Sequence, residues 1–216
     1  MFLGHFALAM AAKKIAPKAS LGTLVLSAQF ADCLCPVLLL LGLEQARIVP
    51  GITRVTPLDF IPYPLSHSLL LQLVWGLLLG GAYFLWRRDP HTALVVAALL
   101  PTHWLLDYFA HRPDMPLYPG GPKVGLGMWS SLPLTLLVEL GLFLIGLLLY
   151  LRAARSKGPA SYGFWSFVFF LAAVYASSLL GPPPPSVRIL ALSALALWLT
   201  VPWTGWADRQ RELRLG

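Results

Sequence analysis

The sequence predicts an all-α polytopic membrane helix bundle, with about six transmembrane helices and a short N-terminal helix. Three observations carry this. Hydrophobic residues make up 57% of the 216-residue chain and charged residues 12%, where a soluble domain carries about 25% charged. Mean hydropathy is +0.71. Several apolar runs reach the roughly 20 residues that a helix needs to cross about 30 Å of hydrocarbon. The period-two alternation of an outer-membrane barrel is absent.

The first twelve residues, MFLGHFALAMAA, are apolar, and the basic pair Lys13–Lys14 follows them. A secretory signal carries its charge in front, so this stretch does not read as one. As a helix it covers about 18 Å, too short to span. Spans then follow at about 21–43, 65–86, 92–110, 128–151, 163–180 and 188–206. Residues 1–151 hold the candidate site residues. Residues 152–216 add two spans without an acidic residue or histidine before Asp208 and a basic tail, and read as scaffold. Cys33 and Cys35 flank Leu34 within a span, point to different sides of a helix, and read as small buried apolar residues. The run Pro182–Pro185 reads as a stiff spacer.

Net charge is +7. The basic residues sit at the ends of apolar runs, so they describe membrane topology and no nucleic-acid partner is expected. With the N-terminus inside, 11 of the 16 Lys and Arg fall on the cytoplasmic side, including Arg214 in the tail. Both termini are therefore expected in the cytoplasm. The two longer loops, 44–64 and 111–127, fall on the other face, and loops of this length commonly bind or cover something.

Chemistry concentrates in a few ionisable residues inside the spans. A charge at the bilayer centre costs about 2.5–3.5 kcal/mol on insertion scales, so such residues mark function or a polar lock between helices. His103, Asp107 and His111 recur every four residues and share one helix face. That spacing lets imidazole and carboxylate converge on a cation, or simply hydrogen-bond to each other. Asp32 precedes Pro36 by four, so proline frees the carbonyl of residue 32 and predicts a kink there. A carboxylate beside a broken helix suits a ligand; an ordinary kink with Asp32 paired across helices is the alternative. In Tyr63-Pro64-Leu65-Ser66-His67-Ser68, Pro64 opens a helix, Ser66 is expected to cap it, and His67 projects from its first turn. Glu139 lies halfway along its span with no basic residue within a turn. It is expected to be protonated, paired across helices, or part of the site. His5 reaches the others only if residues 1–12 re-enter the bundle.

A Gly-His near the N-terminus, an Asp in the first long span, Ser-His-Ser before the next, and His-x-x-x-Asp form an ordered set. Here these are His5, Asp32, Ser66-His67-Ser68, His103 and Asp107. The set resembles a bacterial inner-membrane family of metal-dependent hydrolase-like proteins that includes LexA-binding inner-membrane-associated proteins. The resemblance covers about the first 150 residues. The family's His-Arg-Gly-x-Thr-His-Ser reads Tyr-Pro-Leu-Ser-His-Ser here, and its Asp-x-Asp pair reduces to Asp32. The resemblance implies a multi-pass protein of the bacterial cytoplasmic membrane with a hydrolytic metal site. His5, Asp32, His67, His103 and Asp107 are then the expected metal ligands, and Asp32 and Asp107 expected catalytic acids; Glu139, which shares their mid-membrane depth and has no counterpart in the resemblance, is the third expected catalytic acid. Imidazole with carboxylate suits zinc or a similar divalent ion. A site embedded in a bilayer makes a lipid-like ester or phosphoester the natural substrate. Two other classes remain open: a small ion- or proton-coupled permease, and a scaffold with a degenerate site. The sequence leaves the oligomeric state open.

Overall fold

The computed structural model describes residues 1–157 and 162–213, so Arg214 lies outside the described residues. The chain forms a helix bundle: α1 (Phe2–Ile15), α2 (Leu21–Ala28), α3 (Phe30–Leu40), α4 (Pro64–His67), α5 (Leu69–Arg87), α6 (Pro90–Ala110), α7 (Leu132–Ala153), α8 (Tyr162–Leu180), α9 (Val187–Ala194) and α10 (Leu197–Arg209). Three antiparallel ribbons trim the ends: β1 (Ala46–Ile48) with β2 (Leu58–Phe60), β3 (Met115–Pro116) with β4 (Lys123–Val124), and β5 (Ala154–Ser156) with β6 (Arg211–Leu213). Helices α5, α6, α7 and α8 are each long and apolar enough to cross a membrane. So is the α9–α10 run, and the bent α2–α3 pair makes up to six spans.

Local chemistry sets the helix starts. Ser20, Ser68, Asp89, Ser131 and Ser186 each accept a hydrogen bond from the backbone N–H three residues on. This satisfies amides that the first helical turn leaves unpaired. The cap of the second span is therefore Ser68, with Ser66 turned elsewhere. Small residues set the packing, as expected where lipid supplies no hydrophobic drive between helices. A Cβ on Gly80 of α5 would meet the Ala93 carbonyl of α6 at 2.7 Å, and one on Gly146 of α7 would meet the Ala7 carbonyl of α1 at 2.5 Å. The outward faces are leucine and phenylalanine: Leu77, Leu94, Leu137 and Phe169 are all exposed.

Helix α1 does re-enter. Leu3, Phe6, Ala9 and Met10 are buried with Leu21, Leu24, Phe143, Phe164 and Phe167 in the largest core cluster. Its two ends are held by acids from distant helices. At the start, Glu139 of α7 accepts from the backbone N–H groups of Leu3 at 2.7 Å, Phe2 at 3.3 Å and Gly4 at 3.4 Å. These are first-turn donors with no partner in their own helix. A carboxylate there also meets the positive end of the helix dipole. At the other end, Asp208 of α10 accepts from Lys13 Nζ at 2.7 Å, from the Leu21 amide at 3.0 Å and from the Tyr150 hydroxyl at 2.8 Å.

The first long span is broken, but not where proline predicts. The 55° bend between α2 and α3 falls at Gln29, and Pro36 lies within α3.

Candidate metal centre

The bend at Gln29 ends α2 at Ala28, whose carbonyl is there for a side chain to use. His103 of α6 takes it: its Nδ1–H donates to the Ala28 carbonyl at 2.7 Å. A carbonyl only accepts, so the proton of the neutral ring is fixed on Nδ1 and the lone pair on Nε2. That Nε2 lies 3.0 Å from Asp107 Oδ2 and 4.0 Å from Asp32 Oδ1, and it is buried without a hydrogen bond of its own.

His67 is oriented by a second chain of contacts. Glu44, at the end of the broken span, accepts from the Ser66 backbone N–H at 2.8 Å and from the Ser66 hydroxyl at 2.6 Å. The hydroxyl has one proton and gives it to Glu44. The 2.7 Å contact between Ser66 Oγ and His67 Nδ1 must then be donated by the imidazole. His67 Nε2 consequently turns its lone pair inward, 3.4 Å from Asp32 Oδ1 and 3.9 Å from Asp107 Oδ2. Glu44, Ser66 and His67 are all buried. Outer partners of this kind hold metal-binding imidazoles in many proteins.

His5 comes in from α1. Its ring stacks on His103 with centroids 3.6 Å apart and planes 11° apart. Its Nε2 lies 3.1 Å from Asp107 Oδ1 and 4.0 Å from Asp32 Oδ2. The Met1 amine sits at the same point, 2.9 Å from His5 Nε2 and paired with Asp107 Oδ1.

Five of the sequence-predicted residues thus converge in two overlapping groups, His5–His103–Asp107 and Asp32–His67–His103, and either is able to hold a metal ion. Four imidazole–carboxylate separations around Asp32, His67, His103 and Asp107 fall between 3.0 and 4.0 Å. Ligands of a tetrahedral zinc at about 2.1 Å lie about 3.4 Å apart, so this donor set fits such an ion with small side-chain shifts.

Two candidates fall elsewhere. Glu139 stays out of both groups and caps α1. His111 ends the α6 stripe at a separate cluster: its Nδ1 bonds Asp114 Oδ1 at 2.9 Å, Tyr63 donates to the same oxygen at 3.2 Å, and Arg112 joins Asp114 to Asp59. Tyr63 lies outside the spans. Burial, helped by the Asp114 charge, pushes its phenol well above the usual range.

A cavity of about 510 Å³ opens beside the two groups. Asp32, His67, Asp107 and His111 line one end. The remainder is largely apolar and is completed by α8, α9 and α10, so the last spans form a wall of the site region. Asp32 is the most open member, with its side chain 29% exposed against 2% for Asp107.

Residue patterning did not disclose Glu44. An acid at a span end reads as a surface charge, and its partner Ser66 is 22 residues away. No match to this chain was found among models of known protein families, curated proteins or solved structures.

Proposed function

We propose that the cluster is the metal site of a membrane-embedded hydrolase, zinc-type in its donor chemistry. The observation that carries this is the pair of inward Nε2 lone pairs. His103 and His67 both have their Nδ1 protons committed outward, so each presents a lone pair to carboxylates. In the neutral rings, lone pair facing anion is repulsive until a proton or a metal ion lies between them, and one divalent ion serves both imidazoles and both carboxylates at once. The resemblance in residue order to the metal-dependent hydrolase-like family supports the same reading.

A bound divalent ion would supply Lewis acidity and make water acidic enough to attack an ester or phosphoester near neutral pH. The chain's own residues supply the rest. His67 and His103 hold their positions through Glu44–Ser66 and the Ala28 carbonyl. Asp107, the more buried acid, bonds His5 and stands beside His103 as a further ligand. Asp32 faces the cavity and is the group placed to take the proton from attacking water. The polar groups meet at one point and give way to an apolar cavity. That favours a site over an ion path crossing the bundle. The positive-inside count supports a bacterial cytoplasmic membrane with both termini inside.

Elemental analysis of protein purified without a histidine tag tests this reading. At least one divalent ion per chain is expected, lost in His103→Ala and in Asp107→Asn, with metal-dependent ester hydrolysis abolished in Asp32→Asn. Metal-free protein that takes up no zinc, or metal retained in both ligand variants, overturns it.

A further inference from the structure

The cavity also says what kind of molecule suits this site, and the inference rests on the hydrolase reading above. Its polar end holds two carboxylates, His67, His111 and the Met1 amine, with no Lys or Arg among its lining residues. Away from that end the wall is hydrocarbon, including Leu39 and Pro36 of α3, Phe170 and Val174 of α8, and Leu190 and Leu197. This wall belongs to helices that are long and apolar enough, alone or as a bent pair, to cross a membrane, an environment that suits hydrocarbon chains. A small water-soluble substrate would leave most of that wall against water. An amphiphile with its reacting group at Asp32 and one chain along α8 and α9 satisfies both ends. A volume of about 510 Å³ is in the usual range for one drug-sized ligand. That accommodates a single chain with a small head.

Charge selects the head. The Met1 ammonium is paired with Asp107 and touches His5, two of the atoms that a metal in the His5–His103–Asp107 group would use. The ammonium and such an ion therefore compete for one place. With the Glu139 carboxylate at the same helix start counted beside Asp32 and Asp107, the ammonium leaves a net negative site, and adding a divalent ion in either group brings it at most to neutral. In neither state is there surplus positive charge for a phosphate or sulfate, and an unpaired anion buried there is costly. We infer that the site takes an uncharged single-chain amphiphile, a fatty-acyl ester of a small alcohol such as a glycerol monoester, in preference to an anionic lipid.

Binding of two non-hydrolysable probes of equal chain length tests this on zinc-loaded, full-length protein in nanodiscs. The probes are a monoalkyl glycerol ether and a monoalkyl phosphate. The ether is expected to bind at least tenfold more tightly. Val174→Trp and Ala194→Trp, which fill the cavity away from the His/Asp groups, are each expected to weaken it at least tenfold with metal content unchanged. Equal or tighter binding of the phosphate overturns the inference, as does ether binding that both tryptophan variants leave intact while remaining folded. Selective ether binding by a protein that takes up no metal would sustain this inference and end the hydrolase reading. Metal uptake without ether binding would do the reverse.

Discussion

His5 lies flat against His103, ring on ring at 3.6 Å, although 98 positions separate them in the chain. His103 belongs to both groups able to hold a metal, whereas His5 belongs to one. The two histidines should therefore differ in what their loss does. His5→Phe keeps an aromatic face for the stack and removes a nitrogen. It is expected to stay folded and lose less than tenfold in zinc affinity. His103→Phe is expected to remove zinc binding altogether. Zinc competition titrations on the two variants check this, and equal losses would place the ion on His5.

The Glu44–Ser66–His67 chain predicts a tautomer. In metal-free protein, nitrogen-15 NMR of labelled histidine should find His67 protonated on Nδ1. Gln in place of Glu44 exchanges one acceptor for a donor and breaks the chain at Ser66. Glu44→Gln and Ser66→Ala should both shift that tautomer and lower zinc affinity by about 10–100-fold, the usual effect of losing an outer partner. A wild-type His67 protonated on Nε2 would remove the argument for its inward lone pair.

Glu139 is predicted to matter for stability more than for chemistry. Glu139→Ala strips three amides at the start of α1 of their acceptor inside the bundle. Hydrogen bonds to a charged group are worth about 1.5–3 kcal/mol each in favourable cases, so a loss of about 2–4 kcal/mol is expected. Faster hydrogen exchange at Leu3 and Gly4 is the local measure. Zinc affinity should fall only as far as His5→Phe lowers it.

Tyr63 gives a prediction about alkaline pH. Its folded-state pKa is raised above the ordinary phenol value because burial and Asp114 both oppose the phenolate. A raised pKa means stabilisation fully present below about pH 10 and lost as pH climbs through the folded value. Phenolate absorbance in a pH titration should therefore show Tyr63 ionising only with unfolding. Tyr63→Phe should remove that component and flatten the alkaline stability loss.

The bundle was legible because membrane spanning depends on summed apolarity, which the sequence displays directly. The grouping of Asp32, His103 and Asp107 was legible as polar residues that lipid would penalise, and His67 and His5 joined them through the residue order of the resemblance, His5 only on the condition that residues 1–12 enter the bundle. Other features depended on geometry that spacing does not encode. Pro36 marks a kink by chemistry, yet the bend occurs at Gln29, where it frees Ala28 for His103. Glu139 looked like a site acid because burial alone cannot tell a ligand from a cap. Ser66 looked like a cap, and its neighbour Ser68 caps instead, leaving Ser66 to link Glu44 to His67.

The clasp of Glu139 on the first turn of α1 has a consequence for biosynthesis. Leu3 is made 136 residues before the acid that receives it. At about 5–20 residues per second, translation leaves that turn without its partner for on the order of ten seconds. Helix α1 is thus made well before the helix that holds its first turn. Until α7 is inserted, the first turn of α1, just before His5, lacks the acceptor that holds it. Metal capture through His5 is then a late event in assembly, and a chain stalled before residue 139 should carry the other helices of the site without it.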